Sequence, residues 1–302
     1  MRRTPLLRAD GLSQATGRDV WLKLETLQYT RAFKRRGACN ALLALAEREP
    51  RLPPVITASA GNHGVALSSV AQELGAALTI YVPGDAPRAK LDRLVGPGVT
   101  IVAECSDYDD AEARALAAAA GGAGVFISAY NNPDVIAGAG TIALEVLEDL
   151  PNAGALIVPT GGGGLLSGVA LGCDGRVPVV GIEPAVNPAF TEALRAGRTT
   201  HIVAGHSLAD GLLGNLEPGA LTFDLVRALG VPVHLAAEAY VHNAVRALFD
   251  HERLVTEGAG AIGLAALLEG TIAYLPDPNV LIVTGANIDA ATFARVISSP
   301  TT

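Results

Sequence analysis

Short β-branched runs alternate with longer Ala- and Leu-rich stretches along nearly the whole chain. Val55-Ile56-Thr57 precedes a helical stretch to about Leu74, Leu78 to Val82 precedes one near 87 to 95, and Val99 to Val102 precedes one near 108 to 120. Further on, Leu156-Ile157-Val158, Val179 to Ile182, Val231-Pro232-Val233 and Val280 to Val283 repeat the pattern, again with helical stretches between them. Strands that read as continuous apolar runs between helices predict an α/β fold whose parallel sheet is covered on both faces. In open sheets of this kind ligands bind beyond the carboxyl ends of the strands. The loops that follow strands therefore carry the functional argument.

Three of those loops are unusual. Ser59-Ala60-Gly61-Asn62-His63-Gly64 follows the run ending at Ala58 and opens a helix. Small residues let backbone N–H groups approach a ligand, a helix N-terminus favours an anion such as a carboxylate, and Asn62 and His63 add side-chain donors. The same residues also suit an ordinary N-cap. Thr160-Gly161-Gly162-Gly163-Gly164-Leu165 follows Leu156 to Val158. A plain turn needs one or two glycines, whereas a run of four suits backbone amides converging on phosphate oxygens. A dinucleotide site is the rival, with Glu183 where a ribose-binding acid would lie, but the third glycine of that fingerprint is Leu166 or Ser167. The third loop, Thr284-Gly285-Ala286-Asn287, puts a hydroxyl at a strand end, where it can bond a ring nitrogen or simply serve a turn.

A primary amine has few sources here. Lysines stand only at 23, 34 and 90, against nineteen arginines. Alternation in Val20 to Glu25 makes Lys23 a strand residue paired near Glu25, and Lys90 lies on a charged helix face that reads as solvated. Lys34 sits between Phe33 and a helical run opening with Gly37 and Ala38. Desolvation, the helix N-terminus, Arg35 and Arg36 are expected to lower its pKa and make it a nucleophile toward an aldehyde. A structural role would also suit a lysine there.

Composition excludes several classes. Half of the 302 residues are apolar and mean hydropathy is +0.35, yet no apolar run reaches the roughly 18 residues of a membrane helix. No membrane partner is expected, and the first eight residues lack a signal-peptide core. Cys39, Cys105 and Cys173 show no paired spacing, which points to a reducing cytoplasm and against a disulfide framework or zinc site. A net charge of −8, without basic clusters, argues against nucleic acid.

In combination and order, the Phe33-Lys34 pair, Ser59-Ala60-Gly61-Asn62-His63, the tetraglycine and Thr284-Gly285-Ala286-Asn287 resemble the fold-type II pyridoxal-phosphate enzymes. Within them the chain is similar to the threonine/serine dehydratase branch, which includes serine racemase and hydroxyaspartate ammonia-lyases. Phe126 to Pro133, Ile136 to Thr141 and Ala209-Asp210-Gly211 extend the likeness over almost the whole chain.

The resemblance implies a two-domain α/β enzyme of the tryptophan-synthase-β type. Residues 1–54 and 132–302 would form a large domain that binds pyridoxal 5'-phosphate, with 55–131 a small one, the cofactor lying in the cleft and the whole a cytoplasmic homodimer. Lys34 would be the catalytic residue and covalent anchor, Phe33 would pack by the ring, and Asn62 would bond its phenolic oxygen. Gly161, Gly162, Gly163, Gly164 and Leu165 would hold the phosphate, and Thr284 would face the pyridine nitrogen. Ser59, Ala60, Asn62 and His63 would line the substrate carboxylate site. The implied reaction is α,β-elimination of L-threonine or L-serine to a 2-oxo acid and ammonia, the freed Lys34 amine taking the α-proton. Another β-hydroxy amino acid, such as 3-hydroxyaspartate, is the alternative substrate, and a nicotinamide-dependent oxidoreductase the alternative from another class. Racemases of this family carry a second serine where Ala60 stands, so racemisation is less expected. Relatives that bind a divalent cation use an acid matching Glu183 and another six residues later, where this chain has Ala189, so no metal is expected. The chain ends about ten residues after Asp289, and feedback control through a C-terminal regulatory domain is not expected.

Overall fold

A computed structural model describes residues 1–217 and 219–298. Numbered along the chain, the elements open with β1 (Leu6–Arg8), α1 (Asp10–Thr16), β2 (Val20–Leu24) and α2 (Lys34–Arg48). There follow β3 (Val55–Ala58), α3 (Asn62–Leu74), β4 (Leu78–Pro83), α4 (Arg88–Leu91), β5 (Val99–Cys105), α5 (Tyr108–Ala120) and β6 (Val125–Phe126). After α6 (Pro133–Asp149) come β7 (Ala155–Pro159), α7 (Gly164–Cys173), β8 (Val179–Pro184), α8 (Ala189–Ala196) and α9 (Leu221–Ala228). The last elements are β9 (Val233–Ala236), α10 (Glu238–Glu252), α11 (Gly258–Glu269), β10 (Asn279–Val283) and α12 (Ala290–Ser298).

Two compact units divide the chain. One comprises Met1 and Lys34–Gly138, the other Arg2–Phe33 and Ala139–Thr302, so the division falls inside α6. The smaller unit has a parallel sheet in the order β5-β4-β3-β6. Its β3 is buried along its length, with Val55, Leu67, Val70, Leu78 and Ile80 in one core and Ile56, Ala58, Ala111 and Ala115 in another. The helix α2 belongs to this unit because it packs on α3, and Gly37 lies so close to Val135 that a Cβ there would overlap it.

The larger unit has a six-stranded sheet in the order β1-β2-β10-β7-β8-β9, parallel except for β1 at its edge. Strands β7, β8 and β10 are buried throughout, as continuous apolar runs demand of strands covered on both faces. The parallel α/β class is thus the one the sequence pattern predicts. Two local readings change. The predicted Val231-Pro232-Val233 strand begins only at Val233, because proline has no N–H for the ladder, although the Pro232 carbonyl accepts from Gly181 at 2.9 Å. The helix predicted near 87 to 95 shortens to the single turn of α4.

Candidate active site

In the smaller unit, β3 delivers the chain into Ser59–Gly61 and α3 begins at Asn62 with Gly61 as N-cap. The N-cap, being glycine, supplies no side-chain bond of its own to the start of this helix. Gly64 is required by close packing: a Cβ there would drive into the Ser59 carbonyl oxygen. The Ser59 hydroxyl accepts from the Gly61 N–H at 3.2 Å, which folds the loop over the helix end.

Lys34 is half-buried, and its Nζ donates to the Ala129 carbonyl at 2.7 Å. His63 is 2% exposed, and its Nε2 lies 3.1 Å from the Ile127 carbonyl, which also accepts the Thr57 hydroxyl at 2.9 Å. A carbonyl only accepts, so Nε2 carries the proton and Nδ1 is left as a buried acceptor without a partner. Burial, reinforced by the Lys34 charge, pushes the ring pKa down to about 3, the Ile127 bond opposing. The ring is neutral, with its one N–H already used. In this structure the His63 ring thus turns its N–H to Ile127, while its backbone N–H lies at the start of α3.

In the larger unit, the tetraglycine links β7 to α7. Gly163, the N-cap, has φ of +82°, and a Cβ there would come within 2.5 Å of the Phe190 ring. At Gly161 a Cβ would meet the Leu212 backbone at 3.1 Å. The Thr222 hydroxyl donates to the Gly162 carbonyl at 2.7 Å and fixes the loop from α9. The loop is thus braced behind, while its N-cap supplies no side-chain bond to the first-turn N–H groups of α7, the end of a helix that favours an anion. This cradle, which side chains would fill, fits a phosphate.

Thr284 directly follows β10 and is 3% exposed. Its carbonyl accepts the Phe33 N–H at 2.9 Å, and an antiparallel bridge joins Ala32 to Gly285. The Asn287 side chain donates to the Thr30 carbonyl at 3.0 Å, so Thr30–Phe33 is laid along Thr284–Asn287. This fixes Phe33 and Thr284 side by side; Lys34 is the next residue. Glu257, which the sequence does not single out, accepts the Asn287 N–H at 3.2 Å and crowds Gly285.

The other amines go elsewhere. Lys23 is completely buried, bonded to Glu145 at 2.6 Å and the Thr4 carbonyl at 2.7 Å, because β1 and α6 enclose it; its expected pairing near Glu25 gives way to Glu145. Lys90 is exposed on α4, as a solvated face predicts. Sequence reading also missed the Ile127 and Ala129 carbonyls, because a backbone acceptor leaves no mark in residue type. Among the described residues no helix is long and apolar enough to cross a membrane, and no group of three His, Cys, Asp or Glu side chains could hold a metal.

Residues 1–285 match the family described as "Pyridoxal-phosphate dependent enzyme". The L-threonine ammonia-lyase of Thermotoga maritima is 36% identical over 301 residues, 99% of this chain and 74% of the relative. The catabolic L-threonine dehydratase TdcB of Escherichia coli is 34% identical over 300 residues, covering 97% of this chain and 90% of the relative. Among solved structures, maize serine racemase superposes with a TM-score of 0.88 at 29% identity, covering 97% of this chain and 91% of that one.

Proposed function

This chain belongs to the pyridoxal-phosphate dependent enzymes, and from that premise we propose that it is a threonine/serine ammonia-lyase, releasing a 2-oxo acid and ammonia. The observation that carries the reading is the pairing of one half-buried amine, Lys34, with a loop in which position 60 is alanine and the ring of His63 has no N–H to spare. Likeness over 97–99% of this chain to L-threonine ammonia-lyase and dehydratase supports the same reaction.

When bound, pyridoxal phosphate supplies the electron sink that makes the α-proton of an amino acid labile. Gly161–Leu165 is assigned to its phosphate, Phe33 and Asn62 to its ring, and the buried Thr284 hydroxyl to its ring nitrogen. A hydroxyl there would be a neutral partner for the nitrogen and would not supply it with a full proton. Lys34 would hold the cofactor, and its amine, when free, would serve as the base for the α-proton. Ser59 and the N-terminal amides of α3 bind the substrate carboxylate, with Asn62 alongside. The small-domain limits of 55 and 131 remain part of this proposal, as do a cytoplasmic location, which the three buried free thiols support, and a homodimer.

The test is a screen of β-hydroxy amino acids for 2-oxo acid and ammonia. L-threonine or L-serine should be turned over, with D-serine formation minor. Lys34→Ala should lose turnover together with the cofactor's absorbance near roughly 410–420 nm. An undiminished band in that variant would sink the assignment of Lys34, and 2-oxo acid from 3-hydroxyaspartate alone would move the substrate.

A further inference from the structure

Glu183 ends the buried strand β8 and is 1% exposed. Its Oε2 accepts the Phe190 N–H at 2.9 Å and its Oε1 the Thr191 N–H at 2.7 Å. Both donors belong to the first turn of α8, whose N-cap, Pro188, supplies no side-chain bond. The carboxylate therefore caps α8 from the neighbouring strand, with both oxygens occupied by N–H groups and the positive end of the helix compensating its charge. Such a donor set does not suit a cation: the oxygens already face donors, and Ala189, at the position of the second acid in cation-binding relatives, brings no ligand.

The cap has a consequence for the glycine loop. Phe190 is the residue whose amide Glu183 holds, its side chain is fully buried, and its ring is what a Cβ at Gly163 would strike. Glu183, Phe190 and Gly163 form a short chain of contacts from β8 through the start of α8 to the N-cap of α7. Thr222, whose side chain would also crowd a Cβ at Gly163, holds Gly162 through its hydroxyl.

We propose that Glu183 is a positioning residue for the phosphate loop, acting through the start of α8 that it caps and the Phe190 ring that α8 carries. The inference rests on the reading of Gly161–Leu165 as the phosphate site. It predicts a role that depends on the phosphate of the ligand and is indifferent to added metal.

The experiment measures binding of pyridoxal 5'-phosphate and of pyridoxal, which lacks the phosphate, to cofactor-free protein by equilibrium dialysis. Glu183→Ala should weaken binding of the phosphorylated compound about tenfold or more, as loss of a support behind a binding group does. Binding of pyridoxal should change little, and far-UV circular dichroism should be kept. Glu183→Gln, which retains one acceptor, should fall between. Phe190→Leu keeps the cap and trims only the brace, so it supplies a second arm should the alanine variant misfold; it should weaken phosphate-dependent binding about threefold. Wild-type affinity and melting temperature should not respond to EDTA, Mg2+ or Ca2+. Equal affinity of wild type, Glu183→Ala and Phe190→Leu for the phosphorylated compound overturns the proposal alone. A rise in wild-type affinity with Mg2+ that Glu183→Ala abolishes would make Glu183 a cation ligand and overturn it too. Wild-type protein that takes up no cofactor overturns this proposal and the functional reading together.

Discussion

Two loops of this chain leave a parallel strand and open a helix, and they differ in how they are built. The loop before α3 offers side chains, Ser59 and Asn62, beside a turn that Gly64 packs tightly beneath. The loop before α7 offers no side chain at all between Thr160 and Leu165. Its shape is imposed from behind, by Phe190 against Gly163 and by Thr222 on Gly162. A group bound in every cycle and never changed chemically, such as a cofactor phosphate, is met well enough by rigid amides at a helix end. A loop that must tell one amino acid from another, and influence what happens to it, needs side chains that can be exchanged.

The difference can be broken by adding one methyl group to each loop. Gly163→Ala meets both a positive φ and an aromatic ring with no room to move, since Phe190 is fully buried. It should cost about 2–4 kcal/mol. Gly61→Ala, with φ of −110° and nothing within 4 Å of its Cβ, should stay within about 0.5 kcal/mol. Urea unfolding of the two variants measures both. Equal costs would show that the glycine loop is not braced as described.

A different effect should appear with pH, and only from the first loop. In the unfolded chain the His63 ring titrates near its ordinary 6.5, whereas burial and the Lys34 charge hold it to about 3 in the folded protein. Between those values the unfolded state binds more protons, so the stability from this group is complete above the unfolded pKa and declines as pH falls. The slope should approach about 1.4 kcal/mol per pH unit. His63→Gln, which can still donate to Ile127 but does not titrate, should flatten that part of the curve in urea titrations across the window. A slope that persists in the variant would place its origin in another group.

Much of this was legible from residue types. Apolar runs such as Leu156-Ile157-Val158 foretold buried parallel strands, and the tetraglycine announced a cradle because no other residue tolerates Gly163's φ beside Phe190. What was not legible lies in partners supplied by distant backbone. Nothing near His63 says that Ile127 takes its N–H, and nothing near Glu183 says that Phe190 and Thr191 take its two oxygens. Lys23 follows the same logic: alternation placed it in a strand, but only the packing of α6 against that strand delivers Glu145. Buried polar groups must be paired, and the fold, not the local sequence, decides with what.

The subtlest consequence of the comparison concerns Ala60. If the first loop governs the outcome of the reaction and the second only holds the cofactor, then a hydroxyl added at position 60 should alter products and leave cofactor binding alone. Ala60 is half-buried against the core that contains Leu67 and Leu94, and a serine there adds a single oxygen beside Gly61, in the exposed part of the loop. Stability should therefore change by less than about 1 kcal/mol. A positioned acid or base contributes roughly a hundredfold or more when well placed. A newly introduced one should reach the low end of that, raising D-serine formation from L-serine at least about tenfold over wild type, measured by chiral chromatography. Affinity for pyridoxal 5'-phosphate should match wild type. Unchanged D-serine with unchanged affinity would mean that the loop side chain at 60 does not decide between elimination and racemisation, and the division of labour between the two loops would lose its chemical half.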